Sequence, residues 1–381
     1  MMRPMKLAGS QLMFGAGSLE HLKTLTGKRA VIVTGGSSMK KSGVLQKTID
    51  YLKEAGIDSQ VFEGVEPDPL FSTVYRGAGV MKEYQPDIIV GLGGGSAMDA
   101  AKAMWVYYEH PELKTLNDIV PPNIVPKLRN KAILVCIPST SGTASEVSRS
   151  VVITDDETHI KYGVGNMEMM PDIAICDPEV TVTMPAKITA ETGMDALTHA
   201  LEALVSNRAN YISNIFAKNA AKDIILNLPK ACSQGNDIGC REIMINASMA
   251  AGMAFTNVSL GIVHSMAHTL GSFFGISHGL ADAVLLPYVM EFNSHNADAK
   301  NSYDELAKEL GAENLVNVVR ELNKSIGIPS RFAELITEEN KYGDELDAMA
   351  EMALKDGCTK TNPVIPSIEQ LKELFIKVYK A

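Results

Sequence analysis

The sequence predicts an α/β domain with a parallel sheet, followed by an all-helical domain. In the first half, short apolar and β-branched runs alternate with segments of helical period. This alternation is typical of a parallel sheet that helices cover on both faces. After about residue 185, the sequence contains only long segments whose apolar residues recur at steps of three and four. We therefore expect the α/β domain at residues 1–185 and the helical domain at residues 186–381.

Individual elements follow from the local patterns. Strands are predicted where β-branched runs end in glycine, proline or small polar residues, at residues 30–34, 88–92, 132–138 and 173–176. Helices between these strands are predicted at 43–55 and 72–84. The second half is predicted to contain helices at 188–205, 211–228, 239–256, 261–270 and 281–292.

Composition excludes several classes of function. The chain has 381 residues and a formal net charge of −10, which makes binding to nucleic acid or to an anionic membrane unexpected. Its five cysteines are dispersed and form no C-x-x-C pair, a pattern that favours reduced thiols in a cytoplasmic protein. The N-terminal stretch is too mixed for a signal sequence, and no apolar stretch is long enough to span a bilayer.

A glycine-rich stretch, VGLGGGSAMDAAKAM, ends a predicted strand and begins a predicted helix. Gly94 and Gly95 allow a tight turn and close approach of a ligand to the backbone. Ser96 is predicted to cap the helix, with Asp99 completing a capping box. A helix N-terminus after such a turn suits a pyrophosphate. The stretch is neither G-x-G-x-x-G nor a Walker A loop, so a simple tight turn is the alternative.

Two further turns follow predicted strands and support a Rossmann-like dinucleotide-binding domain, because ligands of open α/β sheets bind at the carboxyl ends of strands. The stretch PSTSGTASE offers four hydroxyls within six positions. The other turn carries glycine, serine and lysine and no carboxylate that would repel a 2′-phosphate, so it favours NADP over NAD, the alternative being a solvated loop. Its residues are Gly35, Gly36, Ser37, Ser38, Lys40 and Lys41.

Metal-ligating residues cluster in the helical half. Asp195 and His199 are four residues apart, as are His264 and His268, so each pair shares one face of a helix. His278 follows after a bend rich in glycine and phenylalanine. One carboxylate and four imidazoles suit Zn²⁺, Fe²⁺, Mn²⁺ or Co²⁺. Five candidates are one too many for a four-ligand site that also admits substrate, and the spacing does not decide which one is surplus.

The motifs GGGSAMDAAK, PSTSGTASE, TGMDALTHALEA and GIVHSMAHTLGSFFGISHG, in this order, resemble those of the iron-containing (group III) alcohol dehydrogenases. The resemblance runs from about residue 8 to the C-terminus. It implies a dehydroquinate synthase-like architecture and assembly as a homodimer or a higher homo-oligomer. It also implies a metal-dependent alcohol dehydrogenase or aldehyde reductase, which transfers a hydride between NAD(P)(H) and a small primary alcohol or aldehyde.

The same resemblance implies roles for individual residues. The metal, Fe²⁺ or alternatively Zn²⁺, would be held by Asp195, His199, His264 and His278. His268 matches a position near nicotinamide and substrate that is not usually a ligand, and its implied role is proton transfer. The implied cofactor contacts are Gly94, Gly95, Ser96 and Asp99 for the pyrophosphate, Ser139, Thr140 and Thr143 for the adenine and nicotinamide sides, and Lys161 for the ribose.

One departure from the family pattern bears on the cofactor. Members similar to lactaldehyde reductase, which use NAD, carry an aspartate where this chain has residues 35–38. The glycine–serine turn of this chain instead resembles the NADP-dependent butanol dehydrogenase branch.

Two alternatives to an alcohol dehydrogenase stay open at this point. One is a dehydroquinate synthase-like or glycerol dehydrogenase-like metal enzyme acting on a polyhydroxylated substrate, and the other is a redox-inactive metal-binding protein.

Overall fold

The computed structural model describes residues 4–158 and 160–380. The chain divides into two compact units. The first unit comprises Met1–Met184 and Asn236–Met249, and the second comprises Pro185–Gly235 and Ala250–Ala381. Residues 236–249, which the sequence assigns to the helical domain, thus pack with the first unit. The assignment of one domain to the cofactor and the other to the metal stays a prediction.

The described residues of the first unit contain eight strands and four complete α-helices. Residues 236–249 add the first part of a further helix, whose remainder lies in the second unit. The strands are β1 (Gln11–Phe14), β2 (Arg29–Thr34), β3 (Asp58–Phe62), β4 (Ile88–Gly93), β5 (Ile133–Pro138), β6 (Ser150–Thr154), β7 (Lys161–Gly165) and β8 (Ile173–Cys176). The helices are α1 (Ser38–Lys41), α2 (Val44–Glu54), α3 (Phe71–Tyr84) and α4 (Gly95–Glu109).

Six of these strands form one parallel sheet in the order β1-β8-β5-β4-β2-β3, while β6 and β7 form an antiparallel hairpin. The four predicted strands β2, β4, β5 and β8 are confirmed. The sequence missed β1 and β3 because both are edge strands with half-exposed, polar-rich patterns, so the apolar run that identifies a central strand is lacking.

Helices cover both faces of the sheet, as the near-continuous apolar strands predict. Along β2, Ala30 and Ile32 pack into a core with residues of α2, whereas Val31 and Val33 pack into a second core with residues of α3 and α4. All four side chains are buried. Strand residues therefore alternate between two cores, because successive side chains of a strand point to opposite faces.

The described residues of the second unit are helical and include no strand, which confirms the predicted fold class. Its helices are α5 (Ala186–Val205), α6 (Tyr211–Ser233), α7 (Ile238–Val258, which begins in the first unit), α8 (Ile262–Phe274), α9 (His278–Asn293), α10 (Ala297–Glu309), α11 (Leu315–Ser325), α12 (Glu339–Asp344), α13 (Leu346–Lys355) and α14 (Ile368–Lys380).

Among the described residues, no single helix has both the length and the apolar character needed to cross a membrane. Helices α7 and α8 meet that test only when taken together, and a bend of 102° separates them.

Candidate metal and cofactor sites

Three helices of the second unit bring the predicted metal ligands together. Helix α5 carries Asp195 and His199 one turn apart, α8 carries His264 in its first turn, and α9 begins at His278. Gly275 directly follows the last residue of α8, and its φ of +65° is a left-handed conformation that glycine adopts without strain. The bend at this glycine directs the chain from α8 into α9, so that His278 returns toward His264, and the two ring centroids are 5.1 Å apart.

The centre of this cluster is the carboxylate of Asp195. Its Oδ1 atom lies 3.5 Å from Nε2 of His199, 3.7 Å from Nε2 of His264 and 3.9 Å from Nε2 of His278. His199 stacks on His264 with ring centroids 4.6 Å apart. The structure therefore brings all four predicted ligands to one point, where Asp195, His199 and His264 are buried and His278 is partly exposed. Their assignment as ligands stays a prediction.

A fifth side chain that the sequence did not indicate joins this point. Asp282, four residues after His278 on α9, places Oδ2 3.3 Å from Nε2 of His278 and 3.9 Å from Nε2 of His264. One ligand atom each from Asp195, His264, His278 and Asp282 lie within 4.8 Å of one another. We define these four residues together with His199 as the histidine–carboxylate cluster.

Buried polar atoms in this cluster lack hydrogen-bond partners. Among the described residues, no partner is found for Asp195 Oδ1, His264 Nε2 or either carboxylate oxygen of Asp282. Burial raises the pKa of Asp282 well above its usual range and lowers the pKa of His278 well below its usual range. Unpaired buried polar groups are costly, and a divalent transition-metal ion would satisfy carboxylate and imidazole ligands at once. The residues present thus fit a metal ion.

Glu202 on α5 orients His264. Its Oε2 accepts hydrogen bonds from Nδ1 of His264 at 2.7 Å and from the backbone N–H of Gly261 at 2.9 Å, while Oε1 accepts from Val263 N–H at 2.7 Å. Because Nδ1 of His264 donates to Glu202, Nε2 is the ring nitrogen that faces Asp195 and would bind a metal. A carboxylate that holds the far nitrogen of a metal-binding histidine is a recurring feature of metal sites.

His268 differs from the other histidines of the region. Its Nδ1 lies 2.8 Å from Oδ2 of Asp356, just after α13, and its ring stacks on His278 with centroids 5.3 Å apart. Burial alone would raise the pKa of Asp356, but the hydrogen bond with His268 and its charge hold that pKa well below the usual range. His268 is partly exposed, so it is held at the margin of the cluster.

The sequence analysis missed Glu202, Asp282 and Asp356. Two of them carried a local signal, since Glu202 follows His199 by three residues and Asp282 follows His278 by four, which are both same-face spacings on a helix. Asp356 carried none, because 88 residues separate it from His268.

In the first unit, the three predicted cofactor turns follow adjacent strands. Register pairs Thr34 of β2 with Leu92 of β4, and Gly93 of β4 with Pro138 of β5. Because the strands are parallel, the turns after β2, β4 and β5 emerge at the same edge of the sheet. Strands β2 and β4 also form the point where the strand order reverses, which is where open α/β sheets bind ligands.

The turns after β4 and β5 are in contact. Ser139 N–H donates a hydrogen bond to Gly93 O at 2.8 Å. A Cβ atom on Gly95 would lie only 2.7 Å from Cγ2 of Thr143, and one on Gly94 would lie 3.6 Å from Cγ2 of Thr140. The absence of a side chain at Gly95 is therefore what lets the two turns approach each other.

The predicted capping box at the start of α4 is wrong. Helix α4 begins at Gly95 with Gly94 as its N-cap, and no side chain caps it. The carboxylate of Asp99 instead accepts hydrogen bonds from Ser145 Oγ at 2.6 Å and from Val152 N–H at 2.9 Å. Glycine lets the chain pass from β4 straight into the helix, so Ser96 lies inside the first turn rather than before it.

Asp99 and Lys102 anchor the serine-rich segment after β5. The buried Lys102 donates from Nζ to Ser145 Oγ at 2.7 Å, to Ser148 O at 3.0 Å and to Ser150 O at 3.1 Å. Both side chains of α4 thus hold this segment against the helix. Contacts of Asp99 and of Ser96 with a cofactor stay predictions.

The two remaining groups of predicted cofactor residues lie apart from this contact. Ser37 precedes α1, and the exposed Lys40 lies 3.4 Å from Glu63, a carboxylate next to β3 that the sequence analysis did not consider. Lys161 begins β7 and places Nζ 2.8 Å from Oδ2 of Asp68. An exposed ion pair such as that of Lys40 contributes about 0–1 kcal/mol, so it does not prevent this lysine from binding a phosphate.

Comparison with known proteins identifies the family. The sequence matches "Iron-containing alcohol dehydrogenase" over residues 9–178 and "Fe-containing alcohol dehydrogenase family, C-terminal" over residues 189–379. It is 47% identical over 375 residues to an NADPH-dependent butanol dehydrogenase of Clostridium saccharobutylicum, covering 96% of this chain and 95% of that protein. It is 37% identical over 379 residues to the 1,3-propanediol dehydrogenase of Klebsiella pneumoniae, with 94% of each covered.

A solved structure of an iron-containing alcohol dehydrogenase from Thermococcus thioreducens superimposes with a TM-score of 0.93 at 36% identity, covering 99% of this chain and 100% of that one. The parallel sheet with its glycine turn and the histidine–carboxylate cluster thus occur in a chain that belongs to the iron-containing alcohol dehydrogenase family. It is a metal-dependent alcohol and aldehyde oxidoreductase.

Proposed function

We propose that this enzyme interconverts small primary aldehydes and alcohols with NADPH or NADP⁺ as the hydride carrier and Fe²⁺ as its metal. The observation that carries the proposal is the convergence of Asp195, His199, His264 and His278 at one point. There, Asp195 Oδ1 and His264 Nε2 are buried with no hydrogen-bond partner among the described residues. The relatives named for butanol and 1,3-propanediol support small primary alcohols as substrates.

Asp195, His199, His264 and His278 would hold the metal, which supplies Lewis acid chemistry at the substrate oxygen when bound. The helices fix these side chains in advance, because Asp195 and His199 share one face of α5 and Glu202 holds the ring of His264. Zn²⁺ is the alternative metal that the ligand types allow.

His268 is proposed as the residue that moves the proton. Its Nδ1 is bonded to Asp356, so its Nε2 is the atom available to give a proton to the developing alkoxide or to take one from an alcohol.

The turns at the carboxyl edge of the sheet would bind the cofactor. Gly94, Gly95 and Ser96 at the start of α4 offer backbone N–H groups to the pyrophosphate, and Ser139, Thr140, Thr143 and Lys161 would contact the remaining groups. Preference for NADP is supported by the turn at residues 35–38 and by the name of the relative from Clostridium saccharobutylicum, which is NADPH-dependent. A cytoplasmic location and a homodimeric or larger assembly also stay predictions, the first supported by five free cysteines.

The cofactor proposal is tested at Gly36, which is exposed and whose added Cβ would meet no atom within 4 Å. An aldehyde panel is run with NADPH and NADH after loading with Fe²⁺ or Zn²⁺. We expect wild type to prefer NADPH, and Gly36→Asp to lower kcat/KM for NADPH on the order of 10-fold through charge repulsion, about 1.4 kcal/mol. Gly36→Asn has the same size without the charge and should retain the preference. A wild-type preference for NADH would contradict the proposal.

The division of roles among the histidines is tested by metal content. His264→Ala should lose both bound metal and activity, whereas His268→Ala should keep the metal and turn over on the order of 10²–10⁴-fold more slowly. Atomic emission analysis of the purified variants gives the metal content directly. Equal loss of metal in both variants would refute the separate role of His268.

A further inference from the structure

Asp282 is placed toward the proposed metal by the geometry of α9. The helix begins at His278, and Asp282 follows one turn later, so both side chains lie on the same helix face. Its side chain is entirely buried. On α5 the aspartate Asp195 precedes His199 by four residues, and on α9 the histidine His278 precedes Asp282 by the same four residues.

The contacts of Asp282 all lead into the histidine–carboxylate cluster. Oδ2 lies 3.3 Å from Nε2 of His278 and 3.9 Å from Nε2 of His264. No hydrogen-bond donor for either oxygen is found in residues 4–158 and 160–380. Apart from these histidines, the described residues thus offer no hydrogen-bond partner that would explain a carboxylate at this depth.

The three buried carboxyl groups around this point favour a bound cation. Asp195 and Asp282 are both fully enclosed, and their carboxylates approach the same two imidazoles. Glu202 adds a third buried carboxylate on the far side of His264. An ionised carboxylate is tolerated in a protein interior only when it is paired or coordinates a metal.

We propose that Asp282 is a second carboxylate ligand of the metal, in addition to Asp195 and the three histidines His199, His264 and His278. This inference rests on the proposed function, since it concerns the same metal. Two carboxylates would neutralise the charge of a divalent ion, and their oxygen atoms favour Fe²⁺ and Mn²⁺ relative to Zn²⁺, which prefers imidazole and thiolate ligands.

Metal affinity tests the assignment without reference to turnover. The apo enzyme is titrated with Mn²⁺, with Zn²⁺ and, under anaerobic conditions, with Fe²⁺ against a chromogenic chelator. Asp282→Asn, which keeps the shape and removes the charge, should bind Mn²⁺ and Fe²⁺ at least 10-fold more weakly, with a smaller loss for Zn²⁺. Asp223→Asn removes a charge from an exposed position on α6 of the same unit and should bind all three ions as wild type does.

Thermal unfolding gives a second readout that differs between the metal-free and the metal-bound form. Without metal, Asp282→Asn should unfold at about the same temperature as wild type, because burial keeps the Asp282 carboxyl group protonated and the amide replaces a neutral group of the same size. With saturating Mn²⁺, the variant should gain less in unfolding temperature than wild type gains. If Asp282→Asn does not fold, Asp282→Ala is measured in its place with the same expectation.

The outcomes separate this inference from the proposed function. Wild type that binds metal and reduces aldehydes, with Asp282→Asn binding all three ions equally tightly, would overturn the role of Asp282 alone. Equal shifts of the unfolding temperature with and without metal would likewise assign Asp282 to folding only. Wild type that binds none of the three ions would overturn both proposals.

Discussion

Glu202 shows how one side chain serves both a helix and a ligand. Its carboxylate accepts hydrogen bonds from the backbone N–H groups of Gly261 and Val263 at the start of α8 and from Nδ1 of His264. A negative charge at a helix N-terminus is favourable, and the same carboxylate orients the ring of His264 so that its Nε2 faces Asp195. The orientation of this candidate ligand is thus set by a residue on a different helix.

Replacing Glu202 by Gln should weaken metal binding. The carboxylate of Glu202 accepts three hydrogen bonds, whereas the NH₂ group of glutamine can only donate. At least one N–H donor would therefore lose its acceptor, and the ring of His264 would lose its fixed orientation. We expect a metal affinity about 10–100-fold lower and a free energy of unfolding about 1–3 kcal/mol lower. Chelator titration and chemical denaturation measure the two effects. Glu321→Gln, at an exposed position on α11, is the control, and equal losses in both variants would show that net charge alone is responsible.

At the scale of elements, the cofactor edge is built by the close approach of two turns. The turn from β4 into α4 contains no side chain at Gly94 and Gly95, and the segment after β5 fills that space with Thr140 and Thr143. On α4, the Asp99 carboxylate accepts a hydrogen bond from Ser145 Oγ and Lys102 Nζ donates one to the same hydroxyl, and these buried bonds hold the serine-rich segment. The segment is anchored to the same helix whose N-terminus is proposed to bind the pyrophosphate.

Gly95→Ala should impair cofactor binding. The added Cβ would come within 2.7 Å of Thr143 Cγ2, and overpacking of this kind costs about 1–3 kcal/mol, so the KM for NADPH should rise on the order of 10-fold. Steady-state kinetics measure this change. Gly79→Ala is the control, because a Cβ added at this position on α3 would meet no atom within 4 Å. It should leave KM unaltered and stabilise the protein by about 0.5–1 kcal/mol. An unaltered KM in Gly95→Ala would exclude a tight fit at this turn.

At the scale of the whole molecule, stability should depend on the protonation of Glu146. This buried residue of the PSTSGTASE stretch accepts a hydrogen bond from Cys176 Sγ at 3.9 Å, and its Oε2 has no partner among the described residues. Burial raises the pKa of Glu146 to about 7. The folded protein therefore retains a proton that the unfolded chain releases at lower pH, and stability declines as pH rises from the unfolded to the folded pKa.

Glu146→Gln should remove this part of the pH dependence. The stabilising contribution is fully present below about pH 4.5 and is lost as pH rises through about 7. Relative to wild type, the variant should thus gain stability by about 3 kcal/mol at most between these limits. Denaturant unfolding at pH 5, 6, 7 and 8 measures the difference. Glu83→Gln, exposed on α3, should show a constant difference, and a constant difference for Glu146→Gln would refute the assignment.

The sequence by itself determined the central strands and the long helices and predicted five candidate ligands, because hydrophobic period and same-face spacing are properties of neighbouring residues. The resemblance to the family, not the spacing, set His268 apart from the other four. The tertiary structure decided what depends on distant residues. Sixty-two positions separate Glu202 from His264, and 88 separate His268 from Asp356. It also decided the partners of Asp99, since folding brings Ser145 and Val152 to α4. Hydrogen bonds and charge balance form between segments that meet only in the folded chain, so no local pattern encodes them.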